Sequence, residues 1–179
     1  GYFADDKGRI VTEMSIMALA ENLFFLITAA SAELHDFEWL QKHLRQSTGI
    51  TLENRTEAFS CQILSGPSSR KILSEITDAD LSLPWLSHQS VQIAGRWCQL
   101  VRVSFAGELG WEIHSKVEDT ATIFDAVWQA GQKHGLKPFG MFALDSLRLE
   151  KGYRAWKQDL STDYTLLQGG MDRFIKWEK

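Results

Sequence analysis

The segment from Val103 to His114, VSFAGELGWEIH, contains the residues of this chain best suited to bind a small molecule. Glu112 stands between Trp111 and Ile113, and a carboxylate beside large apolar side chains is costly to bury unless hydrogen-bond donors reach it. A flat heterocycle with adjacent N–H groups would supply those donors. We therefore predict that Glu112 binds such a ring.

Two glycines shape the approach to this acid. Gly107 and Gly110 bracket Glu108 and Leu109 between two runs of apolar and β-branched residues. This composition is typical of a tight β-hairpin, and we expect the preceding residues 98–105 to form its first strand. The second strand would then present Glu112.

Other polar clusters have simpler structural interpretations. SGPSSR, residues 65–70, is similar to a phosphate-binding turn but lacks the spacing of known phosphate-binding loops, which favours a plain strand-to-helix turn. Asp145, Arg148 and Lys151 recur at successive helical turns, a pattern typical of a solvated helix face. Glu13 is an isolated acid in an apolar strand, and taken alone it would face outward.

The histidines and cysteines show no pattern of metal ligands. None of the five histidines has metal-ligand spacing, and none lies close to a cysteine in the sequence. The sequence therefore predicts no metal site. Cys61 and Cys98 lie far apart, and we expect two free thiols rather than a disulfide.

Composition excludes several classes of protein. The chain has 179 residues, of which 44% are hydrophobic, and a formal net charge of -4. This length allows one sizeable core or two small ones. The negative charge gives no electrostatic basis for binding nucleic acid or an anionic membrane, and no apolar run is long enough to span a bilayer. The N-terminus does not resemble a signal peptide, and we expect a soluble piece of a larger protein.

Periodicity places strands and helices in irregular alternation with hairpins, which favours an α+β fold. The expected strands are 9–18 with its antiparallel partner 23–29, then 58–64, 91–93 and 98–105. The expected helices are 31–48, a short one starting near residue 68, 120–134 and 140–151.

These segments together resemble a known family. VRVSFAGELGWEIH (101–114) and the long run 139–177, beginning FGMFALDSLRLEKGYRAW, strongly resemble the glycine-cleavage T-protein family. ITAASAELHDFEWL (27–40) is similar to its dimethylglycine and sarcosine dehydrogenase branch in particular. The resemblance runs through nearly the whole chain.

The resemblance implies a folate-binding, aminomethyltransferase-like α+β domain of antiparallel sheets with flanking helices, incomplete at both ends. It implies one subdomain over 1–57 and a second over 58–179 that carries the GELGWE hairpin. Such a domain binds tetrahydrofolate and forms 5,10-methylenetetrahydrofolate from an iminium. That electrophile comes from a flavin oxidoreductase domain whose FAD lies outside this chain. The implied location is the cytoplasm, or the mitochondrial matrix in a eukaryote.

Individual positions carry implied roles. Glu112 matches the acid that hydrogen-bonds the pterin ring, and Phe105 stands where the family often has tyrosine. His114 falls at an aromatic position near the folate, and Trp111 would give an apolar wall. Glu13, in the GRIVTE segment, matches the proton acceptor that assists attack by the folate nitrogen.

The chain also departs from the family pattern. Leu144 replaces an arginine of the T-proteins, which argues against that branch. Lys157 replaces a glycine in WKQDL, and TLLQGG (165–170) lacks a proline and has Gln168 for glutamate. Two alternatives therefore stay open: a stand-alone aminomethyltransferase of glycine cleavage, or a non-catalytic regulatory relative such as the regulatory subunit of pyruvate dehydrogenase phosphatase.

Overall fold

The structure, a computed structural model, describes residues 1–45 and 47–178 and divides into two compact units. The first unit is Gly1–Asn54 with Arg154–Lys179, and the second is Arg55–Tyr153. The strands are β1 (Tyr2–Ala4), β2 (Ile10–Glu13), β3 (Ser15–Ala20), β4 (Leu23–Ile27), β5 (Phe59–Ser65), β6 (His88–Ile93), β7 (Arg96–Val101) and β8 (Gly110–Lys116). The helices are α1 (Glu33–Leu44), α2 (Ser69–Leu73), α3 (Thr120–Gly131) and α4 (Met141–Glu150). Within the described ranges, no helix has the length and apolar character needed to cross a membrane.

Two antiparallel strand pairs and one helix form the N-terminal part of the first unit. β1 pairs with β2, and β3 pairs with β4. The single strand predicted over 9–18 is divided at the buried residue Met14, whereas its predicted antiparallel partner is confirmed as β4. The helix predicted over 31–48 is the shorter α1. Acidic residues in its first turn and basic residues in its last turn complement the helix dipole.

The C-terminal segment completes the first unit. The backbone N–H of Ile10 donates to the carbonyl of Tyr164 at 2.9 Å, and the indole N–H of Trp156 donates to the carbonyl of Val11 at 3.0 Å. Ile10, Leu160 and Met171 form a small buried core. The chain after Tyr153 thus groups with the N-terminal residues, whereas we predicted a single boundary after residue 57 with all later residues in the second subdomain.

The second unit is built on a four-stranded antiparallel sheet in the order β5-β8-β7-β6. One side of the sheet is lined by apolar residues from all four strands, and these pack with side chains of α2 and α3. The resulting core includes Leu64, Leu73, Ile93, Leu100, Trp111, Ile113, Ile123 and Val127. Antiparallel sheets with flanking helices confirm the predicted α+β fold.

The connection from β7 to β8 is a long loop, 102–109, and not the tight hairpin turn that we predicted. The predicted strand 98–105 ends at Val101 for the same reason. Gly107 has a φ of 75°, which favours glycine. Gly110 is required by close approach instead, because a Cβ there would lie 2.5 Å from Cβ of Ser104. The loop therefore folds back over the start of β8.

Candidate functional site

The two faces of β8 differ in chemistry. Trp111, Ile113 and Ser115 point to the core side, while Glu112 and His114 point to the opposite surface of the sheet. Pairing registers bring polar residues of the other strands to that same surface. We call this surface the polar face, and it is defined by Cys61, His88, Ser90, Gln99, Glu112 and His114.

Glu112 lies partly buried in the middle of the polar face, with 22% of its side chain exposed. Cross-strand pairing places Ile63 of β5 on one side of it and Val101 of β7 on the other. The apolar neighbours of the carboxylate are therefore these two residues rather than Trp111 and Ile113, because successive residues of a strand point to opposite faces.

Trp111 is fully buried in the core of the second unit. The guanidinium of Arg102 lies 5.2 Å from the centre of its ring. The indole Nε1 is buried and makes no hydrogen bond to the described residues. We predicted this ring as an apolar wall of a ligand pocket, but the structure places it in the protein interior, on the face of the sheet opposite Glu112.

His114 is brought directly beside Glu112. Its Nε2 atom lies 2.9 Å from a carboxylate oxygen of Glu112, and the residue is only 4% exposed. Among the described residues, no hydrogen bond reaches the other carboxylate oxygen. Glu112 thus has one oxygen fixed by the protein and one available to a ligand donor.

Cys61 is the cross-strand partner of His114, and its Sγ lies 3.8 Å from His114 Nε2. Part of Cys61 is open to solvent, but burial of the thiol raises its pKa to about 12, and the negative charge of Glu112 adds to this effect. Such a thiol is protonated at neutral pH and is a weak nucleophile. Both predicted free thiols, Cys61 and Cys98, are confirmed.

The polar face also holds polar atoms that lack partners. Oε1 of Gln99 and Nδ1 of His88 are buried and make no hydrogen bond within the described ranges. Gln99 is the β7 residue paired with His114, so its unsatisfied acceptor lies on the strand next to the Glu112 cluster. Buried polar atoms without partners are rare and point to a bound molecule, ion or water. No pattern in the sequence pointed to these two residues, because their placement depends on strand register.

Phe105 belongs to a second cluster in the same unit. Its ring is 37% exposed, stacks on Tyr153 at a centroid distance of 6.5 Å, and lies 5.9 Å from the guanidinium of Arg148. Arg148 is only 3% exposed and lies 2.6 Å from Asp145. The predicted solvated face of α4 is therefore wrong for Arg148, whose guanidinium also donates to the carbonyl of Tyr153 at 2.9 Å.

Glu13 ends β2 in the first unit, where it pairs across the strands with Tyr2. Its pKa is raised, chiefly by burial, while a hydrogen bond from the Tyr2 hydroxyl opposes that shift. The preceding Thr12 is 1% exposed, and its hydroxyl oxygen has no hydrogen-bond partner in the described part of the chain. Within its own unit, Glu13 is thus a partly buried acid with an elevated proton affinity.

The SGPSSR segment is a plain turn from strand to helix, as predicted. The N–H of Gly66 donates to the carbonyl of Leu109 at 2.7 Å, and the hydroxyl of Ser69 donates to the same carbonyl at 3.1 Å. These donors hold the 102–109 loop against α2. The turn therefore has a structural role.

Two residues that depart from the family pattern, Lys157 and Gln168, have identifiable local structures. Lys157 has a φ of 71° at the position where the family has glycine. The amide oxygen of Gln168 accepts hydrogen bonds from the backbone N–H of Thr165 at 2.9 Å and from its hydroxyl at 3.2 Å. A glutamate at this position could accept the same bonds, so Gln168 preserves the turn without its charge.

Comparison with known proteins identifies the family. The model of the GCVT N-terminal domain matches residues 1–179. The mitochondrial dimethylglycine dehydrogenase of Mus musculus is 34% identical over 177 residues, which cover 97% of this chain and 20% of that protein. The aminomethyltransferase of Natranaerobius thermophilus is 32% identical over 176 residues, covering 97% of this chain and 48% of that protein.

A solved structure agrees at the level of the fold. The glycine cleavage system aminomethyltransferase T from Bartonella henselae superposes with a TM-score of 0.76 at 23% identity, over 92% of this chain and 43% of that one. The chain spans about a fifth of the dehydrogenase and about half of the aminomethyltransferases that it matches. Because the family model covers the whole sequence, the chain belongs to the GCVT N-terminal domain family.

Proposed function

We propose that this chain is the tetrahydrofolate-binding, one-carbon-transfer domain of a protein related to dimethylglycine and sarcosine dehydrogenases. The single observation that carries the proposal is the state of Glu112: a partly buried carboxylate between Ile63 and Val101, with one oxygen held by His114. A pterin ring presents adjacent N–H donors on a flat apolar body. The unpaired oxygen and the two apolar neighbours fit that chemistry.

Each residue has a proposed part. Glu112 accepts hydrogen bonds from the pterin, and His114 fixes the orientation of the carboxylate. Phe105 offers an exposed ring face from the loop before β8. Glu13 takes up a proton, and the elevated pKa of its carboxyl suits that role because it brings the base nearer to neutral pH. We leave Trp111 out of the site because it is buried in the core.

Tetrahydrofolate, when bound, supplies a nucleophilic ring nitrogen that accepts a one-carbon unit. In this proposal the unit comes from an iminium made by a flavin domain elsewhere in the protein. The relatives named as mitochondrial dehydrogenases support that assignment, and in a eukaryote they support the mitochondrial matrix as its location.

Calorimetric titration of the full protein with tetrahydrofolate tests the proposal. Glu112→Gln keeps the shape of the side chain but removes its charge, and we expect it to weaken binding by about 1.5–3 kcal/mol, the range for a hydrogen bond to a charged group. That loss is roughly a ten- to 150-fold rise in Kd. The matched control is Glu118→Gln, since the Glu118 side chain is 73% exposed.

No heat of binding in the wild-type protein would overturn the proposal and favour a non-catalytic relative. Equal affinity in wild type and Glu112→Gln would show that Glu112 is structural. An aminomethyltransferase would instead bind folate but form methylenetetrahydrofolate only from an aminomethylated carrier protein and never from an N-methyl amine.

A further inference from the structure

Three potential metal ligands converge on the polar face. The Sγ of Cys61, the Nε2 of His114 and a carboxylate oxygen of Glu112 all lie within 4.8 Å of one another. Cys61 lies on β5, while His114 and Glu112 lie two residues apart on β8. The sheet register creates this group, which has no counterpart as a spacing in the sequence.

Two of the three separations are close to those around a bound zinc ion. Around a tetrahedral Zn²⁺, ligand bonds of about 2.3 Å to sulfur and about 2.0 Å to nitrogen or oxygen put S and N about 3.5 Å apart and N and O about 3.3 Å apart. The observed separations are 3.8 Å from Sγ to Nε2 and 2.9 Å from Nε2 to Oε2 of Glu112. The third separation, from Sγ of Cys61 to the Glu112 carboxylate, is within 4.8 Å, and side-chain rotations that bring it to about 3.5 Å would make the three atoms ligands of one ion.

The same geometry excludes a nucleophilic triad. In such a triad the two nitrogens of a histidine contact different partners, one the thiol and the other the acid. Here a single nitrogen, Nε2 of His114, faces both Cys61 and Glu112. Three ligand atoms that all face one another can surround one shared cation.

We propose that Cys61, His114 and Glu112 form a site for a single Zn²⁺ ion with an open fourth position. On binding, zinc displaces the proton of the Cys61 thiol: the S–H bond breaks, a Zn–S bond forms, and the proton passes to solvent. The Nε2–H of His114 that donates to Glu112 is likewise replaced by a Zn–N bond, and its proton passes to Nδ1 or to solvent. Thiolate, imidazole and carboxylate together select zinc over magnesium or calcium, which prefer oxygen ligands. The fourth position is left for water or another ligand, as in zinc sites that stay open.

The test of this zinc site does not depend on the folate proposal, although both proposals use Glu112. A zinc ion bound through Glu112 occupies the carboxylate that a pterin would need. Zinc at this position would therefore act as a competitor of folate. Metal retention is measured with no folate present, so failure of either proposal leaves the other intact.

Equilibrium dialysis of the full protein against zinc, with metal counted by mass spectrometry, tests the site. We expect one more zinc ion per chain in wild type than in Cys61→Ser, and the same loss in Glu112→Gln. Cys98→Ala is the matched control, because Cys98 is a core thiol whose Sγ donates to the carbonyl of Val91. This control should retain the zinc of wild type.

Thiol labelling gives a second readout that does not depend on stoichiometry. Zinc should slow the reaction of Cys61 with N-ethylmaleimide by at least tenfold while leaving Cys98 unchanged. The proposal is overturned if Cys61→Ser retains as much zinc as wild type, if Cys98→Ala loses as much as Cys61→Ser, or if zinc gives no protection of Cys61.

Discussion

Replacing Gly110 with alanine probes the contact that holds the 102–109 loop over the start of β8, the strand that carries Glu112. A Cβ at this position would lie 2.5 Å from Cβ and 2.7 Å from Oγ of Ser104, far inside ordinary contact distance. Gly110 does not have a positive φ, so the added methyl group acts by steric overlap and not by backbone strain. Overpacking of this kind costs about 1–3 kcal/mol.

Hydrogen exchange measured by mass spectrometry on the full protein reports this loss locally. A loss of about 1–3 kcal/mol corresponds to exchange about five- to 150-fold faster at the amides of β7 and β8, where opening follows local stability. Ser104→Gly removes both overlapping atoms. We therefore expect the double variant Ser104→Gly with Gly110→Ala to be more protected than the sum of the single effects, with a coupling of at least about 1 kcal/mol.

Two outcomes would refute this reasoning. Exchange in Gly110→Ala at the wild-type rate would mean that the loop yields without cost. Additive effects in the double variant would mean that Ser104 is not the obstacle. The contact with Ser65 is milder than the overlap with Ser104. Its Oγ would lie 3.3 Å from the new Cβ, a distance that a small shift relieves.

Two further predictions concern titrating groups. Burial raises the pKa of Glu13, so the folded state favours the protonated acid and loses stability as pH rises through that pKa. Glu13→Gln should therefore need more urea to unfold than wild type at about pH 7. This difference should disappear at about pH 4, near the ordinary pKa of glutamate, where the wild-type acid is also protonated. Equal differences at both pH values would contradict this sign. Burial and the charge of Glu112 raise the pKa of Cys61 to about 12, so Glu112→Gln should speed alkylation of Cys61 at about pH 9, in chelator, because a larger fraction is then thiolate. The rate at Cys98, whose pKa burial raises to about 11, should not change, and acceleration at both cysteines would indicate general loosening.

Local patterns predicted much of the site, and long-range register decided the rest. Strand alternation is enough to place Glu112 and His114 on one face of β8, since they are two residues apart. The apolar neighbours of Glu112 could not be predicted from strand alternation. Ile63 and Val101 reach it only through pairing with β5 and β7, and that pairing depends on a loop whose length we underestimated.

Arg148 shows the same limit on a helix. The spacing puts Asp145 one helical turn before it, and the two side chains do form an ion pair. Its burial follows from the chain beyond α4, where Tyr153 supplies a carbonyl for the guanidinium and Phe105 lies against it. A helical pattern cannot report contacts of that kind, because they come from residues outside the helix.

The return of the chain after Tyr153 has a consequence for the order of folding during synthesis. The second unit is one unbroken stretch, so all of its strands have left the ribosome once residue 153 has emerged, and domains fold as units as they emerge. The first unit cannot complete its core until Leu160 has emerged, because Ile10 and Leu160 share that core. The unit that carries Glu112 would then be folded before the unit that carries Glu13 can be completed.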